Sequence, residues 1–268
     1  MKLNIYQVDA FAEAVFKGNP AAVIPLSDWL EDSLMQAVAM ENNLSETAFI
    51  VKTDDGYSIR WFTPEYEIDL CGHATLASAY VIKNFLEPHL AEIHFTTQKA
   101  GVLKASVKEG VYTLDFPARM PVATDVPKGL LESLGITTAV EVMRSRDYFV
   151  VLPNEESVRN AEPDYTIMKE LDTIGVIITA KGHEADAVSR CFYPGAGIPE
   201  DPVTGSAHCN IVPYWSARLG KTHLKCLQLS ARGGALDCVL HGDRVLMSGR
   251  CTLFLEGTIH LDSVNLSS

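Results

Sequence analysis

Long apolar runs are missing from this 268-residue chain, and so are runs of lysine or arginine. No stretch approaches the roughly 20 apolar residues that a bilayer-spanning helix needs. The segment Met1–Asp9 is broken by polar side chains too often to read as a secretory leader. The chain carries 22 basic against 34 acidic residues, a net charge of −12. Nucleic acid and anionic membrane both demand basic patches, so neither is expected as a partner. The six cysteines (Cys71, Cys191, Cys209, Cys226, Cys238 and Cys251) include no C-x-x-C pair. In a chain of this length they read as reduced, mostly buried thiols of a soluble, cytoplasmic protein.

Familiar catalytic motifs are lacking too. Gly195-Ala196-Gly197 runs into Ile198-Pro199 with no G-x-x-G completion, so a dinucleotide fold is not indicated, and no phosphate-binding loop exists. His183-Glu184 lacks the second histidine of a zinc-protease helix, and His208-Cys209 has no partner at ligand spacing, so no metal is expected. Ser206 stands in Thr204-Gly205-Ser206-Ala207, which is not a hydrolase elbow.

What is present is a phrase said twice. Arg60-Trp61-Phe62-Thr63-Pro64 is followed by Asp69, then Cys71-Gly72-His73-Ala74 and an apolar run. Arg190-Cys191-Phe192-Tyr193-Pro194 is followed by Asp201, then Thr204-Gly205-Ser206-Ala207 and another apolar run. The second copy has the longer loop. Self-similarity at half the chain length predicts two similar lobes, each aiming the start of a helix at a shared cleft. The first turn of a helix carries unpaired N–H groups and partial positive charge, and glycine lets backbone approach a ligand. Two such turns make a site for a carboxylate.

Around these turns the pattern is rich in strands. Strands are expected at 3–11, 21–26, 48–51 and 57–62, and helices at 29–41 (Asp28 and Glu31 forming a capping box) and 72–86. Three strand-like pieces follow, at 92–97, 101–107 and 111–116, with a hairpin turn at Lys108-Glu109-Gly110. Prolines 117, 121 and 127 mark a boundary, giving an N-terminal lobe 1–117 and a C-terminal lobe 118–268. The second lobe repeats the style, with a helix at 205–219 closed by Gly220 and kinked by Pro213, and short strands to residue 256. Hairpin-like connections and one marked helix per lobe predict an α+β fold, mostly antiparallel and without βαβ alternation.

Three titratable groups flank the special turns: Glu46, His73 and Asp201. Removing a carbon-bound proton needs a positioned base in a dry place, and neighbours that separate pKa values give acid and base roles. Each residue also has an ordinary use, Glu46 and His73 as hydrogen-bonding turn residues and Asp201 as a turn opener before Pro202.

Together, Gly18-Asn19-Pro20, Ser45-Glu46-Thr47, Arg60-x-Phe62-Thr63-Pro64, Cys71-Gly72-His73-Ala74-Thr75 and Glu200-Asp201-Pro202-Val203-Thr204-Gly205-Ser206-Ala207 resemble the phenazine-biosynthesis (PhzF-like) family. The resemblance runs from residue 4 to about 256. It implies the diaminopimelate-epimerase-like fold, two lobes that each wrap a β-barrel-like sheet around a central helix, with the active site between them. It also implies a homodimer, no cofactor, and isomerisation of a small, cyclic, amino acid-like substrate. Glu46 takes the role of the proton-shuttling glutamate. His73 and Asp201 take those of residues that orient substrate or relay protons. Ser45 and the backbone of Gly72, His73, Gly205 and Ser206 would bind the substrate and its carboxylate.

Epimerases of the same fold use two thiols, one at each helix start. Cys71 holds the first position but Thr204 the second, which disfavours a two-thiol racemase and leaves Cys71 as one possible acid–base of a thiol-assisted epimerase. A small-molecule binding protein without turnover is the remaining alternative.

Overall fold

The computed structural model describes residues 1–261. Its first elements are β1 (Lys2–Ala10), β2 (Asn19–Leu26), α1 (Asp32–Asn42), β3 (Glu46–Thr53), β4 (Gly56–Phe62), β5 (Glu67–Ile68), α2 (Gly72–Val81), β6 (Glu92–Thr96), β7 (Val102–Lys108) and β8 (Val111–Pro117). There follow β9 (Val122–Ala123), α3 (Leu130–Ser133), β10 (Glu141–Arg144), β11 (Tyr148–Val151), α4 (Glu155–Arg159), α5 (Tyr165–Lys169), β12 (Val176–Lys181), β13 (Ala187–Tyr193) and β14 (Ile198–Asp201). The chain ends with α6 (Gly205–Leu219), β15 (His223–Gln228), β16 (Gly234–His241), β17 (Arg244–Gly249) and β18 (Cys251–His260). None of the helices among the described residues is long and apolar enough to cross a membrane.

The chain forms two compact units, one from Met1–Asp115 together with the chain from Ser248, the other Phe116–Met247. The sequence boundary at 117 assigns everything after it to one lobe. The last strand instead pairs with β1 from Lys2↔His260 to Ala10↔Cys251, which returns it to the first unit.

In the first unit β18, β1 and β2 are antiparallel neighbours, and α1 crosses over to place β3 parallel to β2. This βαβ step is not expected from the hairpin-like spacing. It arises because α1 lies between the two strands in sequence, so they run the same way. β4 lies antiparallel to β3, and its other edge holds β5 and then parallel β6, which β7 and β8 continue antiparallel. Helix α2 touches β1, β2, β3, β7 and β18, strands from both ends of this order, so the sheet curls around it. Its Ala74, Leu76, Ala77, Ala79 and Val81 are all buried. A helix apolar on every side belongs in an interior. The two hydroxyls in that interior bond back to the preceding turn, Thr75 Oγ1 to Cys71 O at 2.5 Å and Ser78 Oγ to Ala74 O at 2.7 Å.

The second unit repeats the plan. β11 is parallel to β12, β12 antiparallel to β13, and β13 carries β14 and then parallel β15, followed by antiparallel β16. Leu130, Val150, Met168, Ile178 and Phe192 form its core. Helix α6 is buried along most of its length and touches β13, β15 and β16. Pro213 has no N–H for the carbonyl of Cys209 one turn earlier. Arg119 N donates to that carbonyl instead, at 2.8 Å, so the missing helical bond is replaced.

One helix start differs from expectation. α1 begins at Asp32, and Glu31 is its N-cap without a side-chain capping bond, so no Asp28–Glu31 box forms. Met35, Val38 and Ala39 supply the buried face. Asp32 is engaged elsewhere, accepting from Arg60 Nη1 at 2.8 Å.

Candidate active site

The repeated arginines are struts. Arg60 donates from Nε and Nη2 to the Glu67 carboxylate at 2.7 and 2.6 Å. Arg190 does the same to Glu200 at 2.7 and 2.9 Å. Each guanidinium lies 5.1 Å from the ring of the phenylalanine two residues on. A forked pair of this kind fixes geometry as well as charge. It ties strand β4 to β5, which precedes α2, and β13 to β14, which precedes α6.

Glu46 opens β3 and is 6% exposed, and His73 stands in the first turn of α2 at 4%. The sequence gives no distance between them, and the fold brings His73 Nε2 to 3.0 Å from Glu46 Oε2. The two buried atoms approach closely but off the line of a hydrogen bond, and each keeps bonding capacity. Cys71, in extended backbone at the N-cap of α2, places Sγ 3.5 Å from His73 Nδ1. Asn19, the first residue of β2, places Nδ2 3.1 Å from the same nitrogen. Ser45 is half-buried directly before Glu46, and Gly72 is half-buried at the start of α2, where its N–H and that of His73 have no acceptor within the helix.

The electrostatics separate these groups. Burial, then the nearby Glu46, pushes the Cys71 thiol up to about 11. A thiolate at neutral pH needs the opposite surroundings. Burial disfavours the imidazolium of His73, while negative charge on Cys71 and Glu46 raises its pKa above the ordinary histidine range. The Cys71 share of that rise needs a thiolate, which this thiol does not form below about 11.

Glu46, Cys71 and His73 are also residue types that bind zinc, with one donor atom from each lying within 4.8 Å of the others. Their arrangement does not fit one ion. The thiol addresses Nδ1 and the carboxylate Nε2, and the two ring nitrogens look in diverging directions.

Asp201 lies in the second unit, at the end of β14, 8% exposed. Its carboxylate accepts from Thr204 Oγ1 at 2.5 Å. Gln228 of β15 pins the turn, Nε2 donating to Asp201 O at 2.7 Å and Oε1 accepting from Thr204 N at 2.9 Å. Thr204 is the N-cap of α6, as Cys71 is of α2. Gly205 is buried and Ser206 half-buried in the first turn that follows. Beside them Arg146 donates to Asp147 at 3.0 and 2.8 Å and to Ser206 Oγ at 3.3 Å. His208 Nδ1–H donates to Thr204 O at 2.8 Å, and burial pushes its pKa down to about 4.

Sequence reading takes Gly18-Asn19-Pro20 as a turn and as one motif of the resemblance, gives Asn19 no role of its own, and passes over Arg146-Asp147 and Gln228. A buried-looking strand that opens directly after two opposite charges is the signal for Arg146-Asp147. Asn19 and Gln228 act through tertiary contacts, for which single-sequence patterns carry no signal.

The model of the phenazine biosynthesis-like (PhzC-PhzF) family matches residues 8–257. An uncharacterized isomerase of Pseudomonas aeruginosa is 49% identical over 261 residues, spanning 97% of this chain and 100% of that protein. A crystal structure of a PhzF-family phenazine biosynthesis protein from Enterococcus faecalis is 49% identical, covers 97% of this chain and 100% of its own, and has a TM-score of 0.94. A hydroxyproline epimerase from Agrobacterium vitis, at 11% identity and a TM-score of 0.64 over 98% of this chain, shares the fold.

Proposed function

This chain belongs to the phenazine biosynthesis-like family and is an isomerase, and we propose that it moves a proton within a small, carboxylate-bearing, amino acid-like substrate using Glu46 as the single acid–base. Glu46 takes a proton from one carbon and returns it to another. The C–H bond broken is balanced by the C–H bond formed, and the carboxylate is regenerated without a cofactor. His73 donates to the carboxylate or to the substrate while this happens. The N–H groups of Gly72 and His73 hold the substrate carboxylate, favoured by the positive end of α2. Substrate binding is assigned also to Ser45, Gly205 and Ser206, and substrate orientation to Asp201.

The observation that carries the reading is the buried Glu46 carboxylate facing His73 beside a thiol that holds its proton to about 11. Removing a proton from carbon requires a group present as its base at neutral pH. Cys71 is not, and its counterpart at the other helix start is Thr204, a hydroxyl. The thiol-assisted epimerase is therefore the weaker reading.

The test is the fate of a deuterium placed at the carbon that loses its proton. Shuttling by one shielded carboxylate returns part of the label to the new position in product made in H₂O. Transfer between two unlike groups returns none.

A further inference from the structure

We infer that Asn19 is a positioning residue that holds His73 as the Nε2–H tautomer, so that the ring presents a proton rather than a lone pair to Glu46. Asn19 is fully buried where β2 begins and pairs with Ala10 of β1. Its place is fixed by Gly18, whose φ is +64° and where an added Cβ would lie 2.1 Å from Ala10 O. Only glycine makes that turn without strain.

The groups around the ring decide its proton. On one side, Asn19 Nδ2 stands 3.1 Å and Cys71 Sγ 3.5 Å from Nδ1. An amide NH₂ is only a donor, and a thiol that keeps its proton is a donor as well. On the other side, Glu46 Oε2 stands 3.0 Å from Nε2, and an ionised carboxylate only accepts. Two donors facing Nδ1 leave the N–H of an imidazolium there without an acceptor, so the ring is held neutral, with one N–H and one lone pair. With the lone pair on Nδ1 and the proton on Nε2, all three contacts are favourable. The reverse tautomer sets N–H against N–H and S–H on one side and a lone pair against an anion on the other. The second nitrogen's partner fixing the state of the first is a recurring feature of histidine sites.

The tautomer stands on these contacts alone, and its consequence for catalysis rests on Glu46 being the base. The experiment is ¹⁵N NMR of the full chain labelled at histidine, with the His73 signals assigned by their loss in His73→Gln. The wild type should show an unprotonated Nδ1 and a protonated Nε2. A protonated Nδ1 in the wild type overturns the proposal whether or not any variant folds. In Asn19→Asp, checked for folding by circular dichroism, an acceptor faces Nδ1, which should become protonated. An unchanged Nδ1 there also overturns it. With a turned-over substrate, Asn19→Asp should lower kcat by about 10- to 100-fold and leave KM within about 3-fold, as loss of an orienting partner does. A switched tautomer with unchanged kcat would refute the positioning role, while the role of Glu46 is judged separately with Glu46→Gln.

Discussion

Glu46 and Gly175 stand at the same place in the two repeats. Thr47 pairs with Phe62 across β3 and β4, and Val176 pairs with Phe192 across β12 and β13, so the residues just before are equivalent. One repeat keeps a carboxylate at that point. In the other, a Cβ on Gly175 would meet the Tyr193 ring at 2.3 Å, because the aromatic fills the space. The two repeats therefore differ at this point, a carboxylate in one and a ring-filled space in the other.

Overpacking at this point should be felt as stability. Gly175→Ala is expected to cost about 1–3 kcal/mol by urea denaturation. Gly195→Ala, where an added Cβ meets nothing within 4 Å, should stay within about 0.5 kcal/mol. Equal effects at both glycines would contradict the packing argument.

The Arg60 strut should matter more than an exposed ion pair. Its side chain is 8% exposed and holds Glu67 and Asp32 at once. Removing Arg60 loses its buried stem and its charge-assisted bonds while both carboxylates still reach solvent, so Arg60→Ala should cost about 1–3 kcal/mol in urea unfolding. Arg60→Lys should recover less than half of that, since an ammonium cannot reproduce the fork.

The repeat is the most legible part of this chain, because Arg60 and Arg190 bond carboxylates 7 and 10 residues further on, in β5 and β14. Helix α6 runs over 205–219 as read, since Gly220, in left-handed backbone, stops it where the sequence places the stop. Less legible features depend on distant partners. Residues 251–260 belong with β1 only through strand pairing. Asn19 meets His73 across 54 positions of chain. The start of α1 was misplaced because Glu31 caps through backbone position alone while Asp32 turns to Arg60.

His208 gives the fold a pH dependence of definite sign. Its ordinary pKa is 6.5, and burial lowers it to about 4 in the folded chain. Between those values the unfolded state binds more protons, so stability falls as pH is lowered through this window, by up to about 3 kcal/mol. His208→Gln should flatten urea-derived stability between pH 6.5 and 4 relative to wild type. An unchanged slope would mean that His208 takes up its proton in the folded chain as readily as in the unfolded one.

The central claim is that Glu46, not Cys71, moves the proton. The most direct measurement is deuterium incorporation in D₂O followed by NMR, with cyclic and acyclic unsaturated amino acids offered to wild type, Glu46→Gln and Cys71→Ser. Exchange should fall by about 100- to 10,000-fold in Glu46→Gln, the usual worth of a general acid–base, and stay within about 10-fold of wild type in Cys71→Ser, as expected of a protonated neighbour of the base. Exchange that survives in Glu46→Gln and disappears in Cys71→Ser would contradict the account.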